Sequence, residues 1–380
     1  MSTDAFENSP RRWDVIAVFA STTIVGLGIA PWYGWYYGYE ASLWILFALF
    51  VAWNSLSITA GYHRLWSHKS YQAHPLVRFF FALGGALSIQ NSIKEWCADH
   101  RNHHRYVDDP DTDPYSIKRG LWFSHIGWML KDYPSGNTDF SNIEDLEKDE
   151  VVNWQHRHYW TLTVALNVGL PLAIGFFLGT PLGALLLLGF LRLVVCHHTT
   201  FLINSLAHYW GRQPYSDNNS SRDNPVIALL TFGEGFHNFH HTFEWDYRNG
   251  VRWYHFDPTK WLIRSLSWIR LTWGLKMAAP EKIEKSVLRM QLKSTTNYVR
   301  QLGSDTEEWL TRLEREYEQL INVLNEWARC RQQWVRLKKN NLLKRWDKTE
   351  IKTRLREVES RLEEQRERWY SLTQQFSYAH

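Results

Sequence analysis

Long apolar segments alternate with polar ones along the chain. After a polar start that ends at Arg12, apolar segments occupy residues 13 to about 37 and 42–62. Two more, 160–179 and 181 to about 203, are joined by a very short turn. About 20 apolar residues in a helix cross the ~30 Å hydrocarbon core of a bilayer. The pattern therefore predicts four transmembrane helices arranged as two hairpins.

A polar segment, residues 63–159, separates the two hairpins. It contains one shorter apolar run, 76–93, which predicts a buried or half-inserted helix, with a full membrane span as the lesser option. Four spans place both termini and this polar segment on the same side. Arg11, Arg12 and the basic residues of the segment make that side cytoplasmic by the positive-inside tendency. We therefore expect an integral, multi-pass membrane protein whose termini and active site are cytoplasmic.

The last hundred residues have a different pattern, with dense charge and apolar residues at heptad spacing. These apolar positions are Leu310, Leu313, Tyr317, Leu320, Leu324, Trp327 and Trp334, followed by Leu355, Val358, Leu362 and Trp369. The spacing predicts two amphipathic helices, paired as an antiparallel hairpin or as an intermolecular coiled coil, with a turn at Asn340–Asn341 or Asp347–Lys348. We divide the chain into a membrane domain, 1–280, and a helical extension, 281–380. The extension is either a solvated tail or a surface for a partner or a homo-oligomer.

Composition agrees with a membrane protein. The net charge is only +4, so net charge suggests no nucleic-acid partner. The 22 Trp and 18 Tyr are residues that favour the membrane–water interface. The three cysteines form no C-x-x-C pair, which favours reduced thiols facing the cytosol. We expect no cleavable signal peptide, because the start of the chain lacks a short apolar core followed by a cleavage site.

Histidines carry the candidate chemistry. An H-x-x-H-H pattern occurs twice among the 17 histidines, and its offsets i, i+3 and i+4 share one helix face. A third cluster has H-x4-H spacing, which on an ideal helix separates the two rings, so a bent or fraying helix end is expected there. A fourth pairs an asparagine with a histidine at i, i+4. The four clusters comprise His100, His103 and His104; His237, His240 and His241; His63 and His68; Asn204 and His208.

All four clusters follow predicted spans on the same membrane face, which indicates a shared metal centre. Imidazole suits iron, zinc, copper and nickel, and nine imidazoles are too many for one tetrahedral ion. Two redox-active ions beside a membrane suggest oxygen chemistry on a lipid. Carboxylates are needed to orient the imidazole N–H groups. The nearby candidates are Glu95, Asp99, Asp108, Asp109, Asp111, Asp113, Glu234 and Asp246.

Five sequence blocks resemble the membrane fatty acyl desaturases, in particular their Δ9, stearoyl-CoA-type branch. In chain order they are HRLWSH, EWCADHRNHH, DPYSIKRGLWFSHIGWML, NSLAHYWG and GEGFHNFHHTFEWDY. The resemblance extends from about residue 13 to 275 and does not include the C-terminal extension. It implies an all-α membrane protein with four transmembrane helices and a cytosolic cap that holds a di-iron site.

The resemblance also implies a reaction and its cofactors. Two iron ions (Fe2+) are expected on the nine histidines of the four clusters, and Asn204 matches an asparagine that reaches one iron through a water. With O2 as co-substrate, the enzyme would place a cis double bond at Δ9 of a saturated acyl chain. Two electrons would come from an external donor of the ferredoxin or cytochrome b5 type. The substrate would be a fatty acyl-CoA or an acyl-lipid in the membrane.

Substrate contacts are implied in the same way. Gln90, Trp96 and Thr200 match residues around the bend of the acyl tunnel, and Val51 and Ser55 match its closed end, where a small Ser55 suits ~16–18 carbons. Headgroup contacts are matched by Asn91, Asp99 and Lys131, with Lys118 and Arg119 as a candidate phosphate-binding pair. The family often has arginine where this chain has Ala98. This departure leaves the carrier open, with acyl-CoA favoured over acyl-lipid.

Two alternatives remain at this stage. A fatty acid or alkyl hydroxylase would use the same scaffold and the same first C–H abstraction. A non-enzymatic scaffold would bind zinc at the histidines and recruit partners through its heptads.

Overall fold

The computed structural model of the protein describes residues 8–303, 306–339 and 345–376. It is mostly helical, which confirms the predicted fold class. The chain divides into two compact units: Met1–Gln213 with Asn218–Met277, and Pro214–Asp217 with Ala278–His380. The helices and strands of the first unit are α1 (Trp13–Tyr37), α2 (Ala41–Ser67), β1 (Gln72–Ala73), α3 (Pro75–Leu87), α4 (Ile93–Tyr106), α5 (Leu121–His125), α6 (Glu150–Phe177), α7 (Pro181–His208), α8 (Pro225–Leu230), α9 (His237–Thr242), α10 (Pro258–Trp268) and β2 (Thr272–Trp273).

Four helices, α1, α2, α6 and α7, are long and apolar enough to cross a membrane, which confirms the four predicted spans. They extend beyond the predicted bounds: α2 ends at Ser67, α6 begins at Glu150 and α7 ends at His208. Hydropathy marks only the lipid-facing part of each helix, and the added turns are polar. Helix α3, with 13 residues, is about 20 Å long and too short to span, as expected for the half-inserted helix.

A buried arginine joins the helices of this unit. Arg192 on α7 has none of its surface exposed. Its guanidinium donates to Asn54 Oδ1 on α2 at 2.8 Å, to the carbonyl of Leu87 on α3 at 2.9 Å, and to Asn167 Oδ1 on α6. A cation among membrane helices is costly unless it is hydrogen-bonded within the protein. Arg192 therefore fixes four helices at one point.

Replacing Arg192 with methionine should lower the free energy of unfolding by about 3 kcal/mol. Methionine fills the space of the apolar stem but leaves the buried carbonyl oxygens of Asn54 and Asn167 without this donor. Thermal unfolding in detergent measures the loss, with Lys148→Met at an exposed position as control. Equal melting temperatures for the two variants would contradict the structural role of Arg192.

The polar half of the first unit packs around the end of α2. Tyr62, Trp66, Phe81, Ile93 and Ile263 belong to one buried apolar cluster. Strand β1 pairs with β2 in antiparallel register, with Gln72 opposite Trp273 and Ala73 opposite Thr272. The histidine-bearing segments of α2 and α4 are thus set in a packed core.

The second unit contains three helices, α11 (Pro280–Gln301), α12 (Thr306–Lys339) and α13 (Arg345–Gln374). The prediction of two helices was therefore incomplete, because Leu288 and Val299 of α11 share the core with the heptad residues Leu313, Leu320 and Leu362. Asn340–Asn341 lie outside the described residues. Asp347–Lys348 lie within α13, so the predicted turn there is wrong. Because the heptad seam is buried within this unit, an oligomer would need another face and stays a prediction.

Candidate metal centre

Helix α4 brings three histidines to the centre. It begins with a capping box: the Ser92 side chain accepts from the backbone N–H of Glu95, and the Glu95 carboxylate accepts from the backbone N–H of Ser92. This cap satisfies two backbone N–H groups at the start of the helix. One turn further on, His100 and His104 face one group of histidines, while His103 faces another.

The H-x4-H pair lies at the end of α2, where His63 belongs to a π-helical segment, Ser57–Ser67, and His68 directly follows it. The backbone N–H of His68 donates to the carbonyl of His63 at 3.0 Å, an i→i+5 bond. The wider turn brings residues five apart to one face, and the two rings lie 4.8 Å apart. The expected bent or fraying helix end was therefore wrong, and the spacing indicates a π-helix.

Helix α9 presents the second H-x-x-H-H cluster. Asp223, from a preceding loop, accepts from the backbone N–H groups of Asn238 at 2.8 Å and Phe239 at 3.0 Å, so this short helix has a carboxylate at its N-terminus. Burial raises the pKa of Asp223 to about 7. Its capping role had no signal in the sequence, because Asp223 lies 14 residues before the cluster.

The nine histidines form two groups. His63, His68, His100, His104 and His240 make a five-histidine site, and His103, His208, His237 and His241 make a four-histidine site. Within each group all candidate ligand nitrogens lie within 4.8 Å of one another. The rings of His104 and His241, one from each group, stack with centroids 4.2 Å apart, so the two sites are adjacent. Asn204 ends the α-helical part of α7, four residues before His208.

The Nδ1 atoms of several histidines point away from the groups toward acceptors. Glu234 lies 2.9 Å from His63 Nδ1, Asp113 2.9 Å from His103 Nδ1, and Glu244 3.2 Å from His104 Nδ1. His208 Nδ1 contacts Ser220 Oγ at 2.8 Å, and Ser220 bonds to Asp108. Tyr115 reaches His100 Nδ1 at 3.4 Å.

Among the predicted carboxylates, Asp113 and Glu234 thus contact histidines directly. Asp108 is connected to His208 through Ser220. Glu95 caps α4, and Asp246 pairs with Arg248. Sequence reasoning did not include Glu244, Tyr115 and Ser220. Glu244 stands only three residues after His241, so proximity to the cluster was an available signal.

The nitrogen chemistry of the centre fits metal ions. A carboxylate at Nδ1 holds the proton there, so Nε2 of His63 and of His104 presents a lone pair. Both atoms lie 3.0 Å from Nε2 of His240, which has at most one proton to share between them. At least one pair of lone pairs would therefore repel. A cation removes this repulsion, and nitrogens at right angles on one ion at ~2.1 Å are about 3.0 Å apart.

The four-histidine site has the same spacing. His237 Nε2 lies 3.0 Å from His208 Nε2 and 3.1 Å from His241 Nε2. Burial and neighbouring imidazoles keep the pKa of His237 and His241 well below its usual range, and burial lowers the pKa of His104 to about 4. The imidazoles of His104, His237 and His241 are therefore neutral, the form that binds metals.

A buried charge network supports His63. Arg64, next to it in the chain, donates to Glu234 at 2.8 Å and contacts Asp257 at 3.1 Å. Burial alone would raise the pKa of Glu234, but Arg64 and His63 outweigh it and lower the pKa to about 2. Asn249 also donates to Glu234, at 2.6 Å. Glu234 is thus ionised and fixed where it accepts the His63 proton.

The residues predicted to line the acyl tunnel lie in two separate places. Trp96 stacks on His100 with ring centroids 4.8 Å apart, and Gln90 donates to Thr200 at 3.1 Å. Farther along α2, Ser55 lies half-buried with its hydroxyl 3.8 Å from the Cys196 thiol of α7. Val51, one turn before Ser55, is also half-buried.

The predicted headgroup residues do not form a single cluster. Arg119 and Lys131 line one cavity of about 630 Å³, whereas Lys118 is not among its lining residues and is exposed. Asn91 is exposed in the α3–α4 loop at a positive φ of 69°. Asp99 is half-buried on α4.

Four apolar helices suited to a bilayer, together with nine histidines clustered in two groups, define an integral membrane protein whose centre is compatible with metal ions. The family model for fatty acid desaturase matches residues 41–267. The chain is 43% identical over 270 residues to acyl-CoA desaturase 1 of Saccharomyces cerevisiae, covering 69% of this chain and 53% of that protein. It therefore belongs to the fatty acid desaturase family.

Other relatives agree with this membership. A probable acyl-CoA desaturase of Schizosaccharomyces pombe is 41% identical, over 71% of this chain and 57% of that protein. Stearoyl-CoA desaturase 5 of Bos taurus is 38% identical, over 64% of this chain and 73% of that protein. The chain spans about half the length of the two yeast relatives.

Proposed function

We propose that this protein is an O2-dependent acyl-CoA desaturase that introduces a cis double bond at Δ9 of a saturated acyl chain. The observation that carries the proposal is the position of Trp96, stacked on His100 of the five-histidine site, on a chain that belongs to the desaturase family. A residue that we propose to shape the acyl path is thus in direct contact with the candidate metal centre.

Two iron ions (Fe2+) suit the centre. The five-histidine and four-histidine sites offer only imidazole nitrogens, with no cysteine in either group of described residues. Structural zinc usually takes four ligands and often cysteine. Iron bound there would supply the oxidising chemistry that an unactivated C–H bond requires. Asn204, one turn before His208, is proposed to hold one iron through a water.

The residues of this chain orient the substrate and the ligands. The Gln90–Thr200 hydrogen bond joins the α3–α4 loop to α7 and, with Trp96, is proposed to bend the acyl chain so that C9 and C10 face the centre. Glu234, Asp113 and Glu244 hold protons on Nδ1 of their histidines, which keeps each Nε2 available as a ligand. Asn91, Asp99 and Lys118 are proposed headgroup contacts.

The reaction needs electrons from outside. Removing two hydrogens from adjacent carbons supplies two electrons, and reducing O2 to two waters needs two more electrons together with two protons. An external donor of the ferredoxin or cytochrome b5 type is proposed to supply them on the cytoplasmic side. The relatives carry the names acyl-CoA and stearoyl-CoA desaturase, which favours acyl-CoA over an acyl-lipid as the carrier.

The test is a product analysis of cells that express the protein together with an electron donor. Gas chromatography with mass spectrometry should detect a new cis-Δ9 monounsaturated acid that is absent from cells with the empty vector. A hydroxy acid with no olefin would instead support the hydroxylase. Zinc without iron in protein from iron-replete cells, and no new product, would support the zinc scaffold.

Filling the closed end of the tunnel should shorten the preferred substrate. Ser55→Phe is expected to lower the ratio of C18 to C16 product by about tenfold, since a few methylenes in an apolar pocket are worth ~1–3 kcal/mol. The measurement is a competition between stearoyl- and palmitoyl-CoA. Ser21→Phe, on the exposed face of α1, is the matched control. An unchanged ratio in Ser55→Phe would place the closed end elsewhere.

A further inference from the structure

Two histidines outside the five-histidine and four-histidine sites form a hydrogen-bonded pair. Nε2 of His125, at the end of α5, lies 3.1 Å from Nδ1 of His198 on α7. His198 is exposed, and neither residue belongs to the groups that could hold a metal ion. An ionisable side chain on a membrane-spanning helix is costly and calls for a partner and a function. His125 is the partner of His198.

The geometry of this pair differs from that of the pairs in the two metal sites. There, the pairs with Nε2 atoms 2.9–3.1 Å apart have rings inclined by 66–85°. The rings of His125 and His198 are inclined by only 24°, and their centroids lie 5.4 Å apart. This distance exceeds the 3.1 Å between the two nitrogens by 2.3 Å, about twice the radius of an imidazole ring. The nitrogens therefore point at each other in line, as in an N–H···N hydrogen bond rather than as two ligands of one ion.

Ser205 fixes the direction of this hydrogen bond. Its hydroxyl donates to the carbonyl of Phe201 at 2.7 Å, so its oxygen accepts from Nδ1 of His125 at 2.9 Å. A neutral imidazole has one N–H group, so Nε2 of His125 is an acceptor and takes its hydrogen bond from Nδ1 of His198. The chain His198–His125–Ser205 thus runs in one direction, from an exposed imidazole to a buried hydroxyl.

The inner end of the chain is next to a residue of the proposed metal centre. Ser205 directly follows Asn204, which we propose to hold one iron through a water, and comes three residues before His208. Ser124, next to His125, donates to the carbonyl of Asn204, so α5 is hydrogen-bonded to α7 at this point. In the proposed reaction, reduction of O2 to two waters takes two protons from solution in each turnover. The hydrogen-bonded chain therefore leads from the surface toward the place where protons are consumed.

We propose that His198, His125 and Ser205 carry these protons to the water position at Asn204. A proton binds Nε2 of His198, whose Nδ1 proton moves to Nε2 of His125. The Nδ1 proton of His125 then moves to Ser205, whose own proton turns away from the Phe201 carbonyl and passes inward. One proton enters, one leaves and no electron moves. The inference rests on the proposed function, because O2 reduction is what consumes the protons.

The chain can be broken at either end by a small change. His198→Ala removes the exposed end and leaves a space open to imidazole from solution. Ser205→Ala removes the inner hydroxyl, which is also the acceptor of His125 Nδ1. His158→Ala is the matched control, because His158 is an exposed histidine on another long helix, α6, and its Nδ1 is hydrogen-bonded to the carbonyl of Trp154 at 2.9 Å.

The experiment uses the full chain in detergent and measures iron content and kcat on the same samples in H2O and in D2O. His198→Ala and Ser205→Ala should keep full iron content and lower kcat by about a hundredfold, the low end of what a positioned proton donor contributes. The solvent isotope effect on kcat should rise in both, because proton delivery becomes the slow step. Imidazole should restore part of kcat to His198→Ala and none to Ser205→Ala. His158→Ala should match the unmutated protein throughout.

Unchanged kcat in His198→Ala would overturn the proton path. A lower kcat with neither a larger isotope effect nor rescue by imidazole would also overturn it, because that is how a purely structural residue behaves.

15N NMR of histidine-labelled protein gives a readout that needs no turnover. The His125 signal, assigned by its absence from His125→Gln, should be that of a neutral ring protonated at Nδ1, and Ser205→Ala should remove this preference. If the unmutated protein forms no unsaturated acid, the proposed function fails and the NMR result still decides on the chain. Protonation of His125 at Nδ1 then supports the hydrogen-bonded chain, whereas protonation at Nε2 overturns it.

Discussion

His237→Ala is expected to abolish product formation, with a loss of about a thousandfold or more in turnover, while the protein stays in the membrane. The His237 Nε2 lies within 3.1 Å of two other nitrogens of the four-histidine site, so its loss leaves three imidazoles for one ion. The four apolar helices do not include this residue. Folding and insertion should therefore survive.

Removing His237 should also disturb few neighbouring polar groups. Its Nδ1 is buried and has no hydrogen-bond partner among the described residues, so alanine leaves no carboxylate or hydroxyl orphaned behind it. The measurement combines iron content per chain with product yield. Iron is expected to fall to about half that of the unmutated protein if the two sites load independently.

The control is His158→Ala, an exposed histidine that lies outside both groups. It should keep full iron content and full yield. Normal turnover in His237→Ala would remove this residue from the ligand set, and with it the assignment of the four-histidine site.

Much of this centre could be predicted from the sequence because its parts are local. Helical spacing alone predicts that the histidines of each H-x-x-H-H cluster share one helix face. The length of the apolar segments predicts the four spans. The spacing of the H-x4-H pair did not predict its local structure, because a π-helix is rare and the ideal α-helical angle places His63 and His68 apart. A sequence with known ligands at i and i+5 indicates this helix type.

Long-range partners were beyond prediction. Glu234 lies 170 residues after Arg64, and nothing local shows that the two share a buried ion pair. In the sequence, Arg192 is a charged residue that interrupts an apolar span. Only the fold shows the asparagine side chains that accept its hydrogen bonds. In the sequence, Arg11 and Arg12 indicated only the orientation in the membrane. In the structure, backbone pairing with residues 130–132 places Arg11 at the cavity that Arg119 and Lys131 line.

The carboxylates that accept from histidine Nδ1 atoms should differ greatly in how much they contribute to the stability of the fold. Glu234→Ala is expected to lower the free energy of unfolding by about 3–5 kcal/mol, the usual cost of leaving one partner of a buried ion pair behind. Arg64 would retain only Asp257 as a carboxylate, and the buried donors of His63 and Asn249 would lose their acceptor. Metal affinity should also fall by about 10–100-fold.

Glu244→Ala provides the matched comparison, since Glu244 also accepts from the Nδ1 of a histidine, His104. Its side chain is 52% exposed whereas that of Glu234 is 2% exposed, so water can replace its carboxylate and the stability loss should stay below about 1 kcal/mol. Thermal unfolding and iron titration of both variants measure the difference. Glu234→Gln separates the two contributions of Glu234 to stability, the hydrogen bond to His63 and the negative charge beside Arg64. Its amide oxygen can still accept the proton of His63 but cannot neutralise Arg64. If Glu234→Gln were as stable as the unmutated protein, the hydrogen bond to His63 rather than the charge on Arg64 would be what Glu234 contributes to the fold.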